Sequence, residues 1–144
     1  MTQTDECVAV VLAAGQSTRM NTRLPKVLHE VCGRPMLEYV IEACRAAGTK
    51  RIFVVVGYGK DQIVRRYSGQ RDLVFVEQAE QRGTGHAVLC CREHLKGFDG
   101  HTMVLCGDTP LLRKETLQIL LDKHIKEASA VTVATAVLAD ASGY

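Results

Sequence analysis

Apolar residues along this chain fall into two alternating patterns. Continuous, largely β-branched runs occur at 7–13 (CVAVVLA), 51–56 (RIFVVV), 73–76 (LVFV), 102–106 (TMVLC) and 130–137 (AVTVATAV). Each has the length of a strand buried on both faces. Between these runs the apolar positions return every three or four residues. They are Met36, Leu37, Val40, Ile41, Cys44 and Ala47, then Ile63, Val64 and Tyr67. Ala87, Val88, Cys91 and Leu95 follow within 84–95, and Leu117, Ile119, Leu120, Leu121 and Ile125 within 114–127. Pro35 suits the first turn of the first helix and Gly48 its stop. Five strands alternating with four helices predict an α/β fold of the Rossmann-like, doubly wound type. Its mostly parallel sheet would carry helices on both faces, joined by right-handed crossovers. No repeat or linker divides residues 1–144, so a single domain is expected.

Composition narrows the picture by exclusion. With 144 residues and 47% hydrophobic content the chain can fill its own core without a disulfide or structural metal. Charged residues at 24%, 12 Gly and only 3 Pro exclude disordered, collagen-like and coiled-coil chains. No apolar run approaches the roughly 18 residues of a membrane span. A net charge of +2 advertises neither a nucleic-acid nor an anionic-membrane surface. The six cysteines form no C-x-x-C pair and several lie in apolar runs, which predicts core thiols in a reducing compartment. The opening MTQTDECVAV lacks a basic leader region, so a cytoplasmic protein is expected. The five histidines show no metal-ligand clustering and read as structural or exposed.

In doubly wound sheets ligands gather beyond the carboxyl ends of the strands. The informative segments are therefore 13–26, 57–60, 77–86, 107–112 and 138–144. The first is the most telling. LAAGQSTRMNTRLPK (12–26) has small residues, then Arg19, Arg23 and Lys26, with no acid between Cys7 and His29. Backbone N–H groups in such a loop can approach an anion, and three uncompensated cations suit a di- or triphosphate. It is not a Walker A loop, because G-K-[ST] is missing. Gly57-Tyr58-Gly59 reads as a helix-entry turn. In VEQAEQRGTGHA (76–87), the amides of Gln78 and Gln81 each offer donor and acceptor, as reading a base edge requires. Backbone N–H groups at Gly83 and Thr84 could add a contact. In LCGDTPLL (105–112), Asp108 stands just past a strand, where a carboxylate can share Mg²⁺ with phosphate oxygens, and Gly107 is expected to leave room for a ligand. These residues converge on a nucleotide site. They leave open which base and acceptor it serves, as in cytidylyl- or guanylyltransferases, and whether it is a non-catalytic nucleotide-binding fragment or a redox Rossmann protein.

Four segments in order, LAAGQSTRM (12–20), LPKVLHEVCGRPML (24–37), EQAEQRGTGHA (77–87) and GDTPLL (107–112), resemble the sugar-nucleotide pyrophosphorylases, and the likeness runs over essentially the whole chain. The resemblance implies transfer of UMP from UTP to the phosphate of N-acetylglucosamine 1-phosphate, giving UDP-N-acetylglucosamine and pyrophosphate for cell-wall precursors, with Mg²⁺ as cofactor. It implies that Leu12, Ala13, Ala14 and Gly15 line the nucleotide, that Lys26 meets its phosphates and that Arg19 serves the leaving pyrophosphate. Gln78 and Gly83 would read uracil, Thr84 would position the nucleotide-sugar, Asp108 would hold Mg²⁺ and Gly143 would approach the sugar. Ser17 departs from the family pattern Gly-x-Gly-Thr-Arg, and a positive φ there would cost about 1–2 kcal/mol. The resemblance further implies a domain truncated at Tyr144, with a second Mg²⁺ ligand and further sugar contacts beyond it. The parent protein would carry an acetyltransferase β-helix and be a homo-oligomer through a domain absent from these residues.

Overall fold

The computed structural model describes residues 6–16, 20–137 and 139. Strand β1 (Cys7–Ala13) is buried almost throughout because it lies inside the sheet rather than at its rim. A short hairpin, β2 (Glu30–Val31) and β3 (Arg34–Pro35), leads into helix α1 (Met36–Ala46). Then come β4 (Arg51–Val56), α2 (Lys60–Tyr67), β5 (Leu73–Glu77), α3 (Thr84–Leu89), β6 (His101–Cys106) and α4 (Lys114–Lys126). The main sheet has the order β5-β4-β1-β6 and every pairing in it is parallel. Val11 stands opposite Val54 on one side and Leu105 on the other.

Because side chains alternate along a strand, the continuous apolar runs feed two cores. Ala9, Val11, Ala13, Ile52, Val54 and Val56 meet Leu37, Val40, Ile41 and Cys44 of α1 and Ile63 and Tyr67 of α2. Val8, Val10, Phe53, Val55 and Val76 meet Ala87 and Cys91 on the opposite face. Each fully buried Val, Leu or Ile here contributes about 1.5–3 kcal/mol relative to exposure. The doubly wound parallel sheet read from the sequence is thus the fold observed.

Three expectations need correction, and one element was not expected. The AVTVATAV run does not form a fifth strand: residues 131–137 have no regular structure, and Val131, Val133 and Val137 are exposed. Its alternation is real, but a strand exists only where another strand takes its backbone N–H and C=O groups, and among the described residues none does. The helix expected over 84–95 ends at Leu89 and continues as tighter turns, with Cys91 N bonding Val88 O and Arg92 N bonding Leu89 O, each three residues back. Cys7, Cys44 and Cys91 are core thiols, and burial pushes the Cys44 thiol up to about 12 and Cys91 up to about 11, but Cys32 and Cys106 are exposed. The β2–β3 hairpin leaves no pattern in the sequence because each of its strands is only two residues long. Cys32 (φ 51°) and Gly33 (φ 78°) make the left-handed pair of a tight hairpin turn.

Candidate functional site

Strand order reverses between β1 and β6, since the chain runs outward from β1 through β4 to β5 and then returns to β1's other side. The loops leaving β1 and β6 must therefore part in opposite directions, which opens a crevice at their carboxyl ends. Lys26 and Asp108 meet across it, with Nζ 2.6 Å from Oδ2. Both side chains remain substantially exposed, at 45% and 31%. Such a pair contributes no more than about 1 kcal/mol to stability, so its partners can be exchanged cheaply.

The backbone beneath that pair is firmly held. Lys26 opens a single 3-10 turn, Lys26–Leu28, whose Val27 and Leu28 are buried in the core. Pro25 ahead of it packs on Gly59, where a side chain would collide with the proline ring and where φ is +64°. Asp108 follows Gly107, whose N–H donates to Leu12 O at 2.9 Å. A Cβ on Gly107 would lie 2.9 Å from that oxygen and 3.2 Å from Val27 Cγ1. The missing side chain is thus a packing requirement, and the space expected for a ligand beside Gly107 is filled by protein.

On the other side of β1 the loops after β4 and β5 close on the same edge. Gly57 is pinned between Ala14 and Gln78, since its Cβ would come to 3.0 Å from Ala14 Cβ and 3.2 Å from Gln78 O. Ala14 O accepts from Tyr58 N at 3.2 Å and from Gln81 Nε2 at 2.9 Å. Gln78 is a rarity for its residue type at 4% exposure. Its backbone N–H donates to Val56 O at 2.8 Å, and its side-chain Nε2 lies 3.1 Å from both Gly83 O and His86 Nδ1. Gly83 itself adopts φ +94°, a conformation that favours glycine, at the entry to α3.

The fold therefore brings together Leu12, Ala13, Ala14, Gly15, Lys26, Gln78, Gln81, Gly83 and Asp108, with Thr84 exposed at the start of α3. Ala13 and Ala14 are buried and Gly15 is exposed with open space around its α-carbon. Arg19, Ser17 and Gly143 lie outside the described residues. Gly57 reads as the helix-entry turn expected, but its role in joining three loops was not visible in sequence. His86, expected to be structural or exposed, bonds directly to Gln78. Its signal was its place eight residues after Gln78 across a glycine turn. Among the described residues no group of three or more His, Cys, Asp or Glu could hold a metal ion by itself. Asp108 alone suits Mg²⁺, which commonly takes one or two carboxylates and completes its shell with phosphate oxygens and water. Two surface hollows of about 470 and 310 Å³ flank α2, and neither is lined by Lys26, Gln78 or Asp108. No helix among the described residues is long and apolar enough to cross a membrane.

Residues 9–139 match the family model of the MobA-like NTP transferase domain. The bifunctional protein GlmU of Pelotomaculum thermopropionicum is 50% identical over 96% of this chain. Its counterpart from Pelobacter propionicus is 46% identical over 97%. The chain spans about 30% of the length of either relative. Among solved structures, Rv0371c of Mycobacterium tuberculosis superposes with a TM-score of 0.67 at 29% identity, covering 85% of this chain and 61% of that one. A structure of the same protein with manganese gives 0.61 at 24% identity, covering 81% and 58%. A CMP:2-keto-3-deoxy-manno-octonic acid synthetase complexed with CTP gives 0.64 at 23% identity, covering 86% of this chain and 49% of that one, and shares the fold.

Proposed function

Given that this chain belongs to the MobA-like NTP transferase family, we propose that it transfers UMP from UTP to the phosphate of N-acetylglucosamine 1-phosphate, yielding UDP-N-acetylglucosamine and pyrophosphate for cell-wall precursors. The observation that carries the reading is the Lys26–Asp108 pair at the strand-order reversal, with a buried glutamine whose amide suits a base on the other flank of β1 at the same sheet edge. Similarity to the GlmU proteins, at up to 50% identity, supports uridylyl transfer over the cytidylyl and guanylyl alternatives.

In this reading a phosphate oxygen of the acceptor attacks the α-phosphorus of UTP, and the bond from that phosphorus to the β-bridging oxygen breaks, releasing pyrophosphate. The attacking oxygen is already anionic at neutral pH, so no general base is required. Such transfers depend mainly on positioning and on neutralising charge. Leu12 to Gly15 line the nucleotide, Gln78 and Gly83 face its base, and Thr84 positions the nucleotide-sugar. Lys26 leaves Asp108 for the phosphates, Arg19 serves the leaving pyrophosphate, and Gly143 approaches the sugar. Asp108 would hold a divalent ion, taken here as Mg²⁺, which supplies charge neutralisation at the phosphate oxygens. The partners are thus UTP and the sugar phosphate in the cytoplasm. A longer parent protein would assemble as a homo-oligomer outside these residues.

The test is pyrophosphate release with Mg²⁺, N-acetylglucosamine 1-phosphate and, in parallel, UTP, CTP or GTP, with Lys26→Ala as control. Release with UTP that the control loses supports the reading. Preference for CTP or GTP reassigns the base, and nucleotide binding without release makes the chain a non-catalytic nucleotide-binding domain.

A further inference from the structure

The hydrogen bonds around Gln78 determine which end of its amide a ligand meets. Gly83 O is a carbonyl and carries no proton, so the amide atom 3.1 Å away must be the nitrogen. The same nitrogen lies 3.1 Å from His86 Nδ1. Since an amide nitrogen only donates, Nδ1 must accept, and the neutral ring carries its proton on Nε2. Both amide hydrogens are then used within the protein. Oε1 takes no partner among the described residues, which leaves an acceptor as the unspent part of a side chain that is 4% exposed.

We propose that His86 is a positioning residue that locks the Gln78 amide with its acceptor toward the base, and that this lock selects uracil over cytosine. The inference rests on the uridylyl reading above. Uracil's pairing edge has one donor, N3–H, between two carbonyls, so a locked acceptor fits uracil only at N3. A cytosine held by the same ribose and phosphates puts a lone pair at that point. Turning the amide over would set Oε1 against Gly83 O and would require the His86 ring to move its proton from Nε2 to Nδ1, so the reversed amide loses the Gly83 bond in either case. Without His86 only the Gly83 bond opposes rotation, and the amide can present either end. Selection here comes from leaving a buried polar group unmatched, which discriminates more strongly than shape.

The experiment measures equilibrium binding of UTP and of CTP, and the KM and kcat with each, for the unaltered chain, His86→Leu and His86→Asn. Leucine fills similar space without an acceptor, and asparagine returns an oxygen near the Nδ1 position. We expect His86→Leu to lower the UTP-over-CTP preference about tenfold, mainly through weaker UTP binding and stronger CTP binding, with kcat for UTP little changed. His86→Asn should restore most of the preference, which a purely structural role would not predict. Nitrogen-15 spectra of the ring should show the Nε2–H form. A unaltered chain that prefers UTP while His86→Leu keeps the same preference overturns the lock and leaves the uridylyl reading standing. An unaltered chain that binds both nucleotides alike, or prefers CTP, overturns the reading and the lock with it.

Discussion

Under the proposed function, the two flanks of β1 solve different problems with different physics. On the β5 side, Gln78 is buried and its amide nitrogen is bonded twice within the protein, so that one hydrogen-bonding direction is offered to a ligand. On the β6 side, Lys26 and Asp108 are half exposed and bonded to each other, so that both charges stay hydrated and exchangeable. Recognition of a base needs a rigid direction, and burial supplies it by making the alternative costly. Handling phosphates needs charges that can change partners, and solvent keeps that exchange cheap. The difference also locates stability. It resides in the packed loops beneath each flank, not in the ion pair that spans the crevice.

Substitution on the phosphate flank should separate activity from stability most sharply. Lys26→Ala is expected to reduce pyrophosphate release by roughly 10²–10³-fold, as removal of a group that stabilises transition-state charge does elsewhere. Asp108→Asn should act comparably. Thermal unfolding of both variants should stay close to that of the unaltered chain. A drop in melting temperature as large as that of a core truncation would show the pair to be structural and break the contrast.

Gly57→Ala tests the base flank. The new methyl would sit 3.0 Å from Ala14 Cβ and O and 3.2 Å from Gln78 O, all of them close to backbone. Overpacking there should cost about 1–3 kcal/mol in denaturant unfolding and raise the KM for UTP. Gln81→Leu removes one donor to Ala14 O, while Tyr58 N still bonds that oxygen, so a smaller loss of about 0.5–1.5 kcal/mol is expected.

The smallest effect calibrates the ion pair itself. Arg45 and Asp72 form a bridge of similar exposure on the outer surface, with Nε 2.7 Å from Oδ2. The Arg45 guanidinium holds the Asp72 carboxyl below the usual carboxylate range. A depressed folded value means that the stabilisation is present above the ordinary value of about 4 and is lost as pH falls through the lower folded value. Solvent screening keeps it below about 1 kcal/mol. Asp72→Asn should therefore flatten acid unfolding slightly and change nothing at pH 7 beyond that amount.

How far sequence reasoning reached depended on the range of the interaction concerned. CVAVVLA and RIFVVV could be placed as buried parallel strands because burial on both faces writes itself into consecutive residues. Met36 to Ala46 could be placed as a helix because its periodicity is local. Lys26, Gln78 and Asp108 stood out as candidates because small residues, amides and a carboxylate just past strand ends carry chemistry in their types. AVTVATAV looked like a strand by the same local rule and is not one, since pairing depends on a neighbour that the local pattern does not specify. The room imagined beside Gly107 is occupied by Leu12 O and Val27, which lie 95 and 80 residues away in the chain. The bond between Gln78 and His86 likewise depends on the turn at Gly83. Hydrophobic pattern and side-chain chemistry are local properties, so residue order alone specified the four strands of the main sheet, most of the helices and the kinds of group available at its edge. Which of those groups meet, which glycines are spacers for packing and which way the buried amide points depend on contacts between segments far apart in the chain, and so emerge only once the chain is folded.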